Sequence, residues 1–593
     1  MNPAHADKPA GGADSAAAAA LHRLFDERYQ WQLREFPEYA MSRGVYTHAD
    51  RVTDESLAAL ERRERETQAV LNQLGAIDRA ALDDADRVNL ELFDRVLREQ
   101  VDARRFRMYL APIDARSGPH QEVPQMHERV RFASYADYDN YLQRLSATPR
   151  ELGHLTERLR LGYQEGRTPA AVALRGIEPQ FESLIGGGAL REIARPFDNL
   201  PAGVTEAQRA ELKDRFEKRV YPELCAAMRA FGEFLAKEYL PNCRKTIAAV
   251  DLPDGEAFYA FELRRFTTTD LTARQIHGLG LREVARIRAE MMQVIRKTDF
   301  LALHPQHRDA DDAPLFAAFI AYLRSDPRFY CRTEQDLLAR YREICKRIDA
   351  ELPRLFRTLP RLTYGVRKIP DFMAPSQTTA YYQHGDLDNA EPGWFYANCY
   401  ALDQRPTYEM VALALHEAVP GHHFQIALAQ EMEDTPEFRK DAWFTAFGEG
   451  WALYGERLGI EMGLYADPYD DFGRLLYEMW RACRLVVDPG MHALGWSRER
   501  AVQYMRDNTA LSEVNINAEI DRYIAWPGQA TAYKIGELRI RALREKAQAA
   551  LGERLDLRRF HDRVLEAGTI PLTLLEQRVE EWIAGERAKS GER

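Results

Sequence analysis

EMVALALHEAVPGHHFQIALAQ, residues 409–430, decides how the rest of the chain is read. An apolar run (Val411, Leu413, Leu415) leads straight into His416 and Glu417, and Pro420, Gly421, His422 and His423 follow. A carboxylate beside one imidazole, with two more imidazoles a turn or two on, is the raw material of a zinc site. Neutral imidazoles bind the metal, and a neighbouring glutamate can take a proton from the water it activates. Zinc-peptidase helices usually spell H-E-x-x-H, which sets two histidines one turn apart on one face. Here the spacing differs. On a regular helix His422 would point away from His416, and His423 would stand ~10 Å along the axis. Pro420 cannot donate to the carbonyl of His416 and clashes with it, while Gly421 permits backbone angles that other residues avoid. The pair predicts a broken or bulged helix that brings His416 close to one of the two paired histidines. A capped core helix with incidental histidines would need neither the His-Glu pair nor the internal Pro-Gly, which costs ~3 kcal/mol.

Composition narrows the field. The chain has 593 residues, of which 45% are hydrophobic and 29% charged, as in ordinary soluble globular proteins. A net charge of -11 argues against a nucleic-acid partner, which calls for a basic footprint. No apolar run approaches the ~20 residues that span a bilayer. The Ala- and Gly-rich start reads as a disordered leader over residues 1–16, since Ala16 to Ala20 is too short and weakly apolar for a signal-peptide core. The expected location is cytoplasmic, or periplasmic or secreted if a natural signal peptide is missing. Six cysteines stand without any C-x-x-C pair, so they read as free, mostly buried thiols.

Helical spacing dominates residues 17 to 300. Leu21, Phe25, Tyr29 and Leu33 recur every four residues, as do Val88, Leu92 and Val96. Further helices are expected over 155–163, 181–193 and 212–239, with a capped start at Ser56. The texture changes near Asp254-Gly255, and Thr267 to Asp270 is expected to cap a new helix. Arg264 and Arg265 read as a solvated helix face sooner than as a carboxylate clamp. Residues 361–400, with LTYGVRKIP and GWFYANCY, predict a small β-sheet just before the His416 helix. An edge strand there could pair with an extended peptide, and Asn398 at its end reads either as a substrate contact or as turn chemistry. Beyond it, one helix is expected over 436–464 and another over 469–487, closed by a turn at Asp488-Pro489-Gly490.

A hydrolytic zinc site takes three protein ligands, and Glu449 is the best third candidate. It lies between Gly448 and Gly450 in a helical pattern where each glycine costs ~1 kcal/mol, which suggests close approach to another helix. Glu456, two turns further on, could orient a ligating histidine.

HEAVPGHHFQ, FGEGWALYGERLG, RLVVDPGMHALGWS and YIAWPGQATAYKIGELRI, in this order, strongly resemble the bacterial domain of unknown function 885 family. More distantly, the His-Glu pair, the further histidine and the later glutamate look like the thimet oligopeptidase and carboxypeptidase Taq families. That resemblance implies a mainly α, zincin-like fold with a deep cleft between two helical halves, to which the residues themselves add the small sheet beside the active-site helix. It also implies His416 and Glu449 as ligands and Glu417 as the base, with His422 as second imidazole and His423 as the alternative.

The expected protein is therefore a single mainly helical domain over 17–593, with a helical half to about 300 and a site-bearing half beyond. The expected activity is zinc-dependent peptide hydrolysis with one Zn²⁺ per chain. The rivals are an inactive peptide-binding protein and an amidohydrolase acting on a nonpeptide amide. His492, Tyr523 and Tyr533 are candidate donors to the oxyanion, and Lys534 a candidate holder of a peptide carboxylate.

Overall fold

A computed structural model describes residues 15–591, except 187, 372, 373, 375, 376, 387–390 and 434. The expected leader lies, up to residue 14, outside the described residues. Helix accounts for 71% of the residues and strand for 4%, which makes the protein mainly α. The chain forms two compact units: Met1–Ile247 with Asp251–Gly255 and Pro436–Phe438, and Ala248–Val250 with Glu256–Thr435 and Arg439–Arg593. The division falls near residue 250, earlier than the boundary of about 300 expected for the two halves.

In the first unit, α1 (Ala16–Glu35) and α3 (Asp84–Arg105) pack through Phe25 and Phe93, whose ring centroids are 5.0 Å apart, and α2 (Leu57–Gly75) joins the same core through Leu71 and Leu74. Ser56 caps α2, its hydroxyl accepting from the Ala59 N–H. The long α4 (Tyr135–Gln164) starts at a capping box formed by Ser134 and Asp137. The helix expected over 181–193 is two pieces, an α-helix over Ile177–Gly186 and a 3₁₀ run over Ala189–Asp198. Carbonyls that an α-helix would use internally are taken there by side chains of α4: Tyr141 bonds Ile193 O and Tyr138 bonds Pro196 O.

In the second unit, α5 (Ala273–Ile295) is capped by Thr272 and Gln275, slightly later than expected. α6 (Glu334–Leu355) leads into the predicted sheet of β1 (Tyr364–Lys368), β2 (Ala380–Gln383) and β3 (Gly393–Ala397). Its order is β1-β3-β2, with β1 parallel and β2 antiparallel to β3, so β1 and β2 are the edges. Tyr341 of α6 seats its ring 4.9 Å from Phe395 at the centre of β3, which fixes one face of the sheet.

Then come α7 (Met410–Glu417), α8 (His422–Gln430), α9 (Thr445–Leu458), α10 (Pro468–Ala493), α11 (Glu513–Ala525) and α12 (Ala532–Leu551). The helix expected over 436–464 is interrupted: a short helix ends at Asp441, and residues 442–444 are not helical, Phe444 being the N-cap of α9. The turn expected at 488–490 is instead helix, because α10 runs on through Pro489 to Ala493. Burial supports it there, with Asp488 accepting from the Tyr259 hydroxyl at 2.6 Å and from the Gly528 N–H at 3.1 Å. Against α10 lies α5, joined to it by Arg286 to Glu478 and by His277 Nδ1 to Val486 O at 2.9 Å.

Candidate metal centre

Every residue of α7 is buried, and His416 and Glu417 are its last two. The Ala418 N–H closes the final turn on Ala414 O, and at Ala418 (φ -95°, ψ -110°) the chain leaves the helix. Gly421 then passes so close that a Cβ there would stand 1.9 Å from the carbonyl oxygen of His416 and 2.4 Å from that of Leu415. Only glycine fits this path. Trp451 of α9 ties the break down by donating to Pro420 O at 2.7 Å. His422 therefore becomes the first residue of a new helix, and its ring sits 4.8 Å from that of His416 at 90°. The sequence predicted a break, and the structure shows that it turns His422 toward His416.

Glu449 arrives on α9. Its two flanking glycines serve different contacts. A Cβ on Gly450 would lie 2.5 Å from Cα of Gly536, so this glycine lets α9 and α12 touch backbone to backbone. A Cβ on Gly448 would instead meet the indole of Trp443 at 2.3 Å. Glu449 Oε2 lies 3.6 Å from His416 Nε2 and 3.4 Å from His422 Nε2. All three ligand atoms fall within 4.8 Å of one another. Tetrahedral coordination with bonds of ~2.0–2.2 Å has edges of roughly 3.4 Å, so these residues fit a zinc-sized ion with little movement.

The charges point the same way. Burial pushes His416 down, but its bonds to Glu449 and Glu456 prevail and raise it to about 9. Burial likewise pushes Glu449 up, yet the attraction of His422 and the bonds to both imidazoles hold it well below the usual carboxylate range. The cluster thus favours positive charge at its centre, from protons or from a divalent cation. Glu456 accepts at Oε1 from His416 Nδ1 at 2.8 Å, with Arg481 3.5 Å from the same oxygen. Glu417 is buried, with 8% of its surface exposed.

His423 faces elsewhere. Burial lowers it to about 4, which leaves the ring neutral. Its Nε2–H donates to Leu362 O at 3.1 Å, so Nδ1 accepts from the Tyr382 hydroxyl at 2.9 Å. With both nitrogens engaged toward the sheet, the alternative assignment of His423 as a ligand is corrected.

Two expected oxyanion donors and two expected substrate contacts are likewise structural. His492 is fully buried and bridges Ala249 N and Tyr523 O at 3.1 and 2.9 Å, so it is no oxyanion donor. The Tyr523 hydroxyl donates to Glu519 at 2.7 Å and accepts from Arg484 and Trp480, which uses its capacity. Lys534 is 0% exposed between Glu478 and Glu537, each at 2.7 Å, so it cannot hold a substrate carboxylate. Asn398 gives its amide to the carbonyls of Ala374, Gln377 and Thr378 and takes the Tyr400 N–H: it is turn chemistry. Tyr533 differs. Burial and then the negative charge of Glu449 raise its phenol, and Arg484 lies 4.5 Å from its ring centroid. Arg265 pairs with Glu262 on its own helix.

Two residues escaped sequence reasoning. Arg481 stands behind Glu456, and Trp443, 43% exposed, has its ring 6.2 Å from that of His422. No periodicity marks either one.

Fold and site together define a mainly helical protein with a partly buried imidazole–carboxylate centre assembled from three helices. The family model "Bacterial protein of unknown function (DUF885)" matches residues 37–579, and the chain belongs to that family. Among solved structures it is similar to "the putative lipoprotein from Colwellia psychrerythraea", with a TM-score of 0.86 and 27% identity over 96% of this chain and 100% of that one. It also shares its fold with "a putative lipoprotein of unknown function from Shewanella oneidensis", at a TM-score of 0.72 and 19% identity over 95% and 99% of the two chains. No curated protein matches. Among the described residues, no helix is long and apolar enough to cross a membrane.

Proposed function

We propose that this chain is a metal-dependent hydrolase of amide bonds, with zinc as the metal and peptides as the substrate. The observation that carries the reading is the convergence of His416 Nε2, His422 Nε2 and Glu449 Oε2 at separations of 3.4 and 3.6 Å around one point. These three residues would hold the ion. Bound there, zinc would act as a Lewis acid toward the scissile carbonyl and make water a better nucleophile. Glu456 fixes the His416 ring through Nδ1 and keeps its Nε2 lone pair on the ligand side. Glu417, adjoining His416, accepts the proton of the attacking water and returns it to the leaving amine. The Tyr533 phenol, protonated across the neutral range, donates to the oxygen on which charge develops. An extended substrate can add to an edge of the three-stranded sheet by backbone hydrogen bonds. The lipoprotein description of the Colwellia relative favours a place in the cell envelope.

The test compares zinc-loaded wild type with Glu417→Gln on a peptide library. Hydrolysis should fall ~10²–10⁴-fold while zinc content stays near one per chain. Loss of zinc in Glu417→Gln would make Glu417 a ligand. A wild type that binds peptides and cuts none would favour a binding protein.

A further inference from the structure

Trp443 stands in the gap between a short helix and α9, where the sequence had predicted unbroken helix. The segment around it is pinned on both sides. Ala442 O accepts from the Thr569 hydroxyl, and Phe444, extended at φ -104° and ψ 103°, is buried at 3% exposure. Successive side chains of an extended segment point to opposite sides, so burying Phe444 turns Trp443 outward. The indole then lies over Gly448, where any Cβ would collide with it, and beside the His422 ring. Gly448 and His422 belong to the cluster itself, one adjoining Glu449 and the other supplying an imidazole.

A tryptophan left 43% open is a large apolar surface in water. Singly exposed apolar residues are ordinary on protein surfaces. This one differs in position: of the exposed large hydrophobics among the described residues, it is the one in ring contact with a histidine of the site. Two features of the sequence, an interrupted helix and a helix-weakening glycine, combine to hold it there.

We propose that Trp443 is a specificity-determining residue, a flat wall that receives an aromatic or large aliphatic side chain flanking the bond to be cut. The substrate class is thus peptides with such a residue next to the cleaved bond. This rests on the site being a peptide-binding metal centre, as argued above.

The experiment uses the full chain, zinc-loaded, as Glu417→Gln so that binding is read without turnover. It is presented with a random hexapeptide library, and the retained peptides are sequenced. Enrichment of Phe, Tyr, Trp or Leu at one position is expected. Adding Trp443→Ala should abolish that enrichment and weaken binding of a selected peptide about tenfold or more, whereas Trp443→Phe should keep most of both. Zinc content should be equal in all three proteins. Unchanged enrichment in Trp443→Ala overturns the proposal, and so does loss of zinc in that variant, which would make the indole a structural support for His422. If Glu417→Gln with Trp443 intact retains no peptide, the peptide-binding reading of the site fails and this inference with it.

Discussion

Nδ1 of His416 and Oε1 of Glu456 stand 2.8 Å apart, joining α7 to α9 inside the protein. A carboxylate accepts, so Nδ1 carries the hydrogen, which leaves Nε2, once it gives up its own proton, as the atom that would bind an ion in the space shared with His422 and Glu449. Glu456→Gln removes the charge and leaves the amide free to turn either way. Zinc affinity should fall ~10–100-fold, measured by competition with a chromophoric chelator. Equal affinity would mean that the His416 ring is oriented by packing alone.

His416→Ala should leave the purified protein nearly free of zinc, whereas His423→Ala should keep about one ion per chain. The second variant loses bonds to Tyr382 and Leu362, so its cost appears as stability, roughly 1–3 kcal/mol in a denaturation experiment. Elemental analysis separates the two. Zinc lost from His423→Ala would contradict the assignment.

Gly536 is remote in sequence from the cluster, yet a Cβ there would stand 1.8 Å from Ala446 O and 2.8 Å from Cα of Gly450. Gly536→Ala must push α9 off α12 and carry Glu449 with it. Stability should drop by about 1–3 kcal/mol or more, with zinc affinity falling in parallel. A variant that melts normally and binds zinc normally would show that the two helices are not held in contact there.

Burial pushes Asp488 up to about 7, against the pull of its bonds from Tyr259 and Gly528. Folding therefore retains a proton that the unfolded chain releases near its ordinary value of 3.8. The stabilisation is full at low pH and is lost as pH rises through about 7. Glu409 and Asp470, each raised to about 7 by burial, act in the same direction. Between pH 6 and pH 8 the loss from Asp488 alone amounts to about 1.4 kcal/mol. Asp488→Asn cannot titrate, so its stability relative to wild type should improve by about that amount over the interval. A constant difference would overturn the prediction.

Local chemistry was legible where it is written in neighbouring residues. Pro420-Gly421 announced a break because the backbone itself cannot continue there, and Glu449 stood out because two adjacent glycines are costly in a helix. What the glycines are for was not legible, since Gly536 is 86 residues from Gly450 and Trp443 lies in a gap that apolar periodicity hides. His422 and His423 are chemically alike, and only the path through residues 418–421 decides which one turns inward. His492, Tyr523 and Lys534 were misread for a shared reason: a polar residue in a dense motif can serve the core as well as the substrate, and burial decides. Pro489 was misread as a stop because its cost to a helix is local, while the partners of Asp488 come from far along the chain.

The break between α7 and α8 also divides the site mechanically. In an unbroken helix two ligand positions share one rigid body, and their separation is fixed by the helix itself. Here His416 and His422 belong to different bodies joined at residues 418–421. Their separation is set by whatever seats each helix: Trp451 at Pro420 O, and for α8 the packing of Phe424 on Phe356, with ring centroids 4.5 Å apart. The spacing of the two imidazoles is thus an adjustable dimension of the protein, open to tuning from positions that never touch an ion.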